Sequence, residues 1–134
     1  MPNAVVMTGY GPPEVLTWAA VPLPEPGRGQ IRIKVRAAGV SPTDLALRAG
    51  YLKAFPLPPG AVLGFEAAGT VDAAGPGVTG ASAGDAVTAL LLGLGGYAEY
   101  AVRRSGPASR NRCRGLMPPR CRARPRRPSG CCGS

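Results

Sequence analysis

Three hydroxyl side chains lie within eleven positions of one another: Ser41, Thr43 and Tyr51. Each can donate a hydrogen bond to an oxygen that gains negative charge during a reaction. Ser41 and Thr43 have a second use. Such residues cap helices by accepting from backbone N–H groups, and Asp44-Leu45-Ala46-Leu47-Arg48 reads as a short helix ended by Gly50. The cap and donor readings of Ser41 therefore stand side by side. Tyr51 either faces a site or packs at the helix end with its hydroxyl on a partner. Asp44 either caps the helix or touches a ligand. Glu66 reads as structural, satisfying backbone or Arg donors. The glycines Gly93, Gly95 and Gly96 let backbone approach a cofactor, or simply turn tightly. Their spacing is not the dinucleotide fingerprint, which runs G-x-G-x-x-G from a strand into a helix.

Metal chemistry finds few ligands. The chain has no His and four Cys. The cysteines, Cys113, Cys121, Cys131 and Cys132, lack paired CxxC spacing. A catalytic zinc needs about three N, S or O ligands from the protein.

The elements that must position these residues are mostly strands. Ile31, Ile33 and Val35 alternate with Arg32, Lys34 and Arg36, so one face of Gln30 to Val40 is buried and the other meets water. Ala4 to Met7 and Val15 to Ala20 read as two strands around the turn Gly9-Tyr10-Gly11-Pro12-Pro13. Pro22, Pro24, Pro26 and Gly27 bar helix and interior strand alike. Phe65 to Val71, Ala86 to Leu92 and Tyr97 to Val102 complete the set of strands, and Phe55 to Gly60 must be a loop. Many short strands, frequent turns and one short helix imply a mainly β, barrel-like domain.

Charge divides the chain. Residues 1–102 hold six Lys or Arg against seven Asp or Glu, whereas residues 103–134 hold ten Arg, no acid and all the Cys. The overall charge of +9 suggests a nucleic-acid binder, but it is entirely terminal. No aromatic residue interleaves with those arginines to stack bases, so nucleic acid is an unlikely partner. The tail composition cannot bury a core, so disorder is expected there. The longest apolar stretch, Ala86 to Leu94, is too short to cross a membrane, and Met1 to Tyr10 shows no secretory signal. A cytoplasmic protein is expected.

Five motifs then come in a fixed order: Val21-Pro22-Leu23-Pro24-Glu25-Pro26-Gly27, Ala37-Ala38-Gly39-Val40-Ser41-Pro42-Thr43-Asp44, Leu63-Gly64-Phe65-Glu66-Ala67-Ala68-Gly69-Thr70-Val71, Gly84-Asp85-Ala86-Val87 and Gly96-Tyr97-Ala98-Glu99-Tyr100. Together they resemble the N-terminal domain of the medium-chain dehydrogenase/reductase superfamily, in its zeta-crystallin-like quinone oxidoreductase branch. The resemblance covers roughly residues 1–102. It implies a GroES-like, partly open barrel with one short helix, and a companion Rossmann domain that binds NADPH. No such Rossmann domain is visible in this sequence. It implies hydride transfer to a quinone or activated enone, with Ser41, Thr43 and Tyr51 as polar candidates. Ser41, Gly95 and Gly96 would then face the cofactor, and the apolar stretch Leu52 to Pro59 would line a pocket for a flat substrate. The parent enzyme would be a homodimer through the missing domain.

The same resemblance speaks to zinc. Where the zinc alcohol dehydrogenases of this superfamily carry a Cys, this chain has Ser41, and where they carry a His, it has Phe65. No Cys stands between Thr88 and Gly96 for a structural zinc lobe. The expectation is zinc-free chemistry. A frameshift would explain the tail: with GC-rich codons, Ser109 to Arg122 read one frame over can give PEPVSWADAAALP, which resembles the family segment leading into the cofactor domain. The expected division is a GroES-like domain over 1–102 and a foreign tail over 103–134. The chain by itself is expected to be truncated and nearly inactive. The alternative is a non-enzymatic GroES-like module with a basic nucleic-acid-binding arm.

Overall fold

Ile31 and Ile33 are buried to 5% and 0% exposure, and the strand that carries them organises the molecule. The structure, a computed structural model, describes residues 1–104 apart from Lys53. The strands are β1 (Asn3–Met7), β2 (Leu16–Ala20), β3 (Gln30–Gly39), β4 (Ala61–Val62), β5 (Glu66–Ala74), β6 (Ala86–Leu90) and β7 (Tyr100–Arg104). One helix, α1 (Pro42–Ala49), follows β3, and a short 3-10 turn covers Pro13–Val15. The strands form two antiparallel sheets, in the orders β2-β1-β4 and β6-β5-β3-β7. The expected mainly β, partly open architecture with one helix is therefore observed.

Each sheet has its own core. In the four-stranded sheet, Ile31, Ile33, Ala67, Val71, Ala89, Leu91 and Ala101 pack together. The second core, Met7, Leu47 and Leu63, joins α1 to the three-stranded sheet. Burying one such aliphatic side chain fully is worth about 1.5–3 kcal/mol, so the two clusters dominate the stability of the domain. The sheets are stitched where the chain runs from residue 97 to 99. Val5 N–H donates to the Tyr97 carbonyl at 2.8 Å, Glu99 N–H to Asn3 at 3.0 Å and Val35 N–H to Glu99 at 2.8 Å.

That stitching explains the main departure from the sequence reading. Tyr97 to Val102 is not one strand, because Ala98 bridges to Ala4 in the first sheet before β7 begins at Tyr100. The strand then pairs Arg103 and Arg104 with Ile31 and Gln30. The tail expected to be disordered lies outside the described residues from position 105. Arg32 also departs from simple alternation. Its side chain is only 13% exposed, because it pairs with Asp72 at 2.6 Å and Glu25 at 3.2 Å and stacks 5.9 Å from the Tyr100 ring centroid. The Pro-rich segment holding Glu25 folds back over it, with the Pro24 carbonyl accepting at 3.2 Å. Among the described residues no helix is long and apolar enough to cross a membrane.

Candidate functional site

Ser41 is extended at φ −112° and ψ 160° and stands at the N-cap of α1, with Pro42 opening the helix. Proline suits that position because its φ is already helical and it has no N–H to leave unpaired. Ser41 Oγ accepts from Asp44 N–H at 3.4 Å and donates to Asp44 Oδ2 at 2.9 Å. The Ser41 N–H donates to the same carboxylate oxygen at 2.9 Å. This is a closed capping box. Of the two cap candidates the structure selects Ser41, while Thr43 is exposed in the first turn. The cap occupies the hydroxyl proton of Ser41, so donation to a substrate requires the Ser41–Asp44 bond to open.

Asp44 does more than cap. It is 3% exposed, and its Oδ1 accepts from Gly64 N–H at 3.1 Å. A buried carboxylate is tolerated only when donors surround it, and here three N–H or O–H groups converge on it. Gly64 in turn lies against the Gly96-Tyr97 segment. Gly96 N–H donates to the Gly64 carbonyl at 3.0 Å and Tyr97 N–H to the Leu63 carbonyl at 3.0 Å. A side chain at Gly64 could not fit: its φ is +102° and a Cβ would stand 2.8 Å from Gly96 Cα. Three of the five sequence motifs thus meet at one carboxylate.

Tyr97 is the neighbour that sequence reasoning missed. Its hydroxyl is buried without a hydrogen bond of ordinary geometry. Burial, and then the charge of Asp44, push the phenol up to about 12. The Asp44 carboxylate is near enough to act on it, yet the contact is electrostatic rather than a made hydrogen bond. The legible signal was a pairing of features: an Asp three residues after a cap, and a Gly in each of two later motifs allowing close backbone approach.

The other candidates separate. Tyr51 is 82% exposed and does not pack at the helix end. That place belongs to Tyr10, whose ring lies against Gly50. Gly96 is buried, with Gly64 and Glu66 carbonyls about its missing side chain, so its glycine character serves packing. Gly95, at φ +103°, faces open space. The Glu66 side chain is exposed, and the backbone or Arg donors expected for its carboxylate are not found among the described residues. It stands in register between Gly39 and Leu90. An open trough of about 440 Å³ lies there, lined by Ala37, Ala68, Thr88 and Leu90 with Glu66 and Arg103. Val40, 74% exposed, follows Gly39 and leads to Ser41.

Among the described residues, the side chains at positions 41 and 65 do not fit a catalytic zinc. Ser41 Oγ is committed to Asp44, and Phe65 offers only carbon, packed against the Met7–Leu47–Leu63 core.

The sequence pattern of the alcohol dehydrogenase GroES-like domain matches residues 27–108. The chain belongs to that family. Its relatives place this GroES-like domain within the medium-chain dehydrogenase/reductase superfamily. It is 38% identical over 104 residues to a 2-haloacrylate reductase of Burkholderia sp, covering 74% of this chain and 30% of that protein. It is 39% identical over 101 residues to a quinone oxidoreductase of Sus scrofa, covering 75% and 30%. Among solved structures, a mycobacterial protein complexed with NADPH superposes with a TM-score of 0.69 at 34% identity, over 78% of this chain and 31% of that one. A cobalt- and zinc-bound alcohol dehydrogenase from Pyrobaculum aerophilum superposes with a TM-score of 0.69 at 32% identity, over 78% and 39%. The chain therefore spans about a third of the length of the proteins it matches, and it is a domain of an oxidoreductase-type family.

Proposed function

We propose that this domain is the substrate-side half of an NADPH-dependent oxidoreductase that reduces quinones or activated enones without zinc. The observation that carries the reading is the pair at positions 41 and 65. By resemblance these are positions where zinc enzymes of the superfamily carry ligands, and here they hold a serine hydroxyl locked into a cap and a phenylalanine ring. The likeness to a quinone oxidoreductase and a 2-haloacrylate reductase supports the substrate class, since both names denote reduction of an electron-poor double bond or ring. The likeness to an NADPH complex supports the cofactor.

The phosphates of that cofactor would be held elsewhere. Among the described residues the one helix starts on Ser41-Pro42, not on a glycine-rich turn. When bound, the nicotinamide supplies the hydride. This chain supplies orientation and a polar rim. Gly95 offers open backbone beside the site, and Thr43 and Tyr51 present exposed hydroxyls for a developing oxyanion. The Asp44 hub keeps the start of α1 and the Gly64 loop in fixed relation, so that the rim does not shift when a substrate arrives. Val40, Leu90 and Leu92, exposed at 74%, 53% and 82%, give this end an apolar surface suited to a covering domain. The setting would be cytoplasmic, and dimerisation would involve the other domain.

Fusion provides the test. Residues 1–104 joined to the cofactor domain of the porcine quinone oxidoreductase should reduce phenanthrenequinone with NADPH, at a rate unchanged by a zinc chelator. No NADPH-dependent turnover from a folded fusion, or activity abolished by the chelator, would reject the reading.

A further inference from the structure

Tyr10 had no role in the sequence reading, yet it contacts two separate segments, the Leu57 arm and the end of α1 at Gly50. Its hydroxyl accepts from Leu57 N–H at 2.8 Å. Its ring lies where a Cβ on Gly50 would stand 3.3 Å away, so the glycine at φ +82° both ends α1 and makes room for the tyrosine. The neighbouring Gly11 N–H donates to the Arg48 carbonyl at 2.9 Å, and the Arg48 guanidinium returns a hydrogen bond to the Gly11 carbonyl. The Gly9-Tyr10-Gly11 turn is thereby fastened to the end of α1 from both sides.

Among the described residues the segment Tyr10 holds has one other polar tie to the sheet, from Gly60 N–H to the Met7 carbonyl at 2.8 Å at its far end. Leu57 lies between two turns, closed by Phe55 N–H to Leu52 at 3.0 Å and Ala61 N–H to Pro58 at 3.1 Å. Pro56, Pro58 and Pro59 have no N–H to give. Leu57 packs its side chain on the second core, while Phe55 stays 66% exposed. The Tyr10 hydroxyl is thus the polar anchor of an apolar arm whose outward residue is aromatic.

We propose that Tyr10 is a positioning residue for the apolar stretch expected to line a substrate pocket: it fixes the arm Ala54–Pro59 against the end of α1 and so sets how wide an aromatic substrate that arm, with exposed Phe55 and the exposed Tyr51 beside it, can admit. This rests on the quinone reading above. Tyr10 touches no reacting atom in this role; it acts through Leu57. A hydroxyl-free ring still packs on Gly50, so Tyr10→Phe removes the anchor and leaves the packing.

The test uses the full chain, wild type and Y10F, with two quinones that resist addition of thiols: broad phenanthrenequinone and small duroquinone. Amide exchange at Leu57 should quicken roughly tenfold in Y10F, the size of one ordinary hydrogen bond, while the domain stays folded and its melting temperature falls by about 4–8 °C. Shifts of the Tyr51 and Phe55 amides should show the wild type preferring one quinone, and Y10F losing most of that preference. Equal Leu57 exchange in the two proteins overturns the anchor. Faster exchange with the same preference between quinones overturns the role in selectivity. If neither quinone shifts any wild-type amide, the quinone reading itself fails, and the role in selectivity fails with it, while exchange still decides the anchor.

Discussion

Two polar clusters tie distant segments of this domain together, and they do it differently. Around Arg32, opposite charges meet near the surface: Asp72 lies at 2.6 Å, and Glu25 at 3.2 Å is itself 81% exposed. Asp72 is the main reason the guanidinium is held more firmly charged than usual, with burial working against it. Around Asp44, a buried carboxylate meets only neutral donors, from Ser41 and Gly64, with the Tyr97 phenol near but not hydrogen-bonded. The first cluster clamps a Pro-rich loop onto a sheet. The second sets the spacing of the elements that frame the site. Surface ion pairs contribute little because water and salt screen them, whereas a buried acceptor leaves its donors stranded when it is removed.

That contrast can be broken in order of size. Asp44→Ala should have the largest effect, a loss of about 3 kcal/mol, since it strands two N–H donors and a hydroxyl. Urea unfolding of the full chain reads it, and a loss below about 1 kcal/mol would demote the hub to an ordinary cap. Gly64→Ala comes next, at about 2 kcal/mol, because the backbone is left-handed there and Gly96 stands in the way. Asp72→Asn should cost about 1 kcal/mol, and Glu25→Gln less than about 0.5 kcal/mol, with the latter vanishing in high salt. A salt-independent loss from Glu25→Gln would mean the clamp is not a surface pair.

A further effect shows only at alkaline pH. Tyr97 ionises near 10 when unfolded and near 12 when folded. Between those values the folded chain keeps a proton that the unfolded chain has lost. Stability from this group is therefore fully present below about pH 10 and is lost as pH rises toward about 12. Tyr97→Phe should flatten the stability curve in that window and nowhere below it. An unchanged slope above pH 10 would place the phenol in water.

The sequence made some of this legible and hid the rest for physical reasons. Ile31-Arg32-Ile33-Lys34 announced β3 because a half-buried strand writes its two faces in alternate residues. Ser41 or Thr43 and then Gly50 marked the ends of α1 because caps are local chemistry, and the structure chose Ser41. Arg32 looked like a solvent residue because its partners Glu25 and Asp72 come from loops and strands far along the chain. The split of residues 97–102 was invisible for the same reason, since only the Ala4–Ala98 bridge interrupts an otherwise strand-like run. Tyr51 and Tyr10 show the limit most clearly. Both flank turns, and local pattern favoured the one beside the helix, but the left-handed Gly50 leaves the space to Tyr10. Ser41 was read as a cap or a donor, and in the structure its hydroxyl proton lies on Asp44 within the cap.

The measurement closest to the centre of this account is a fluorescence titration of the chain with NADPH. A domain that offers only the substrate side should show no saturable binding at micromolar cofactor. Saturation in the micromolar range would mean that these residues hold the hydride donor by themselves, and the division of labour argued here would be wrong.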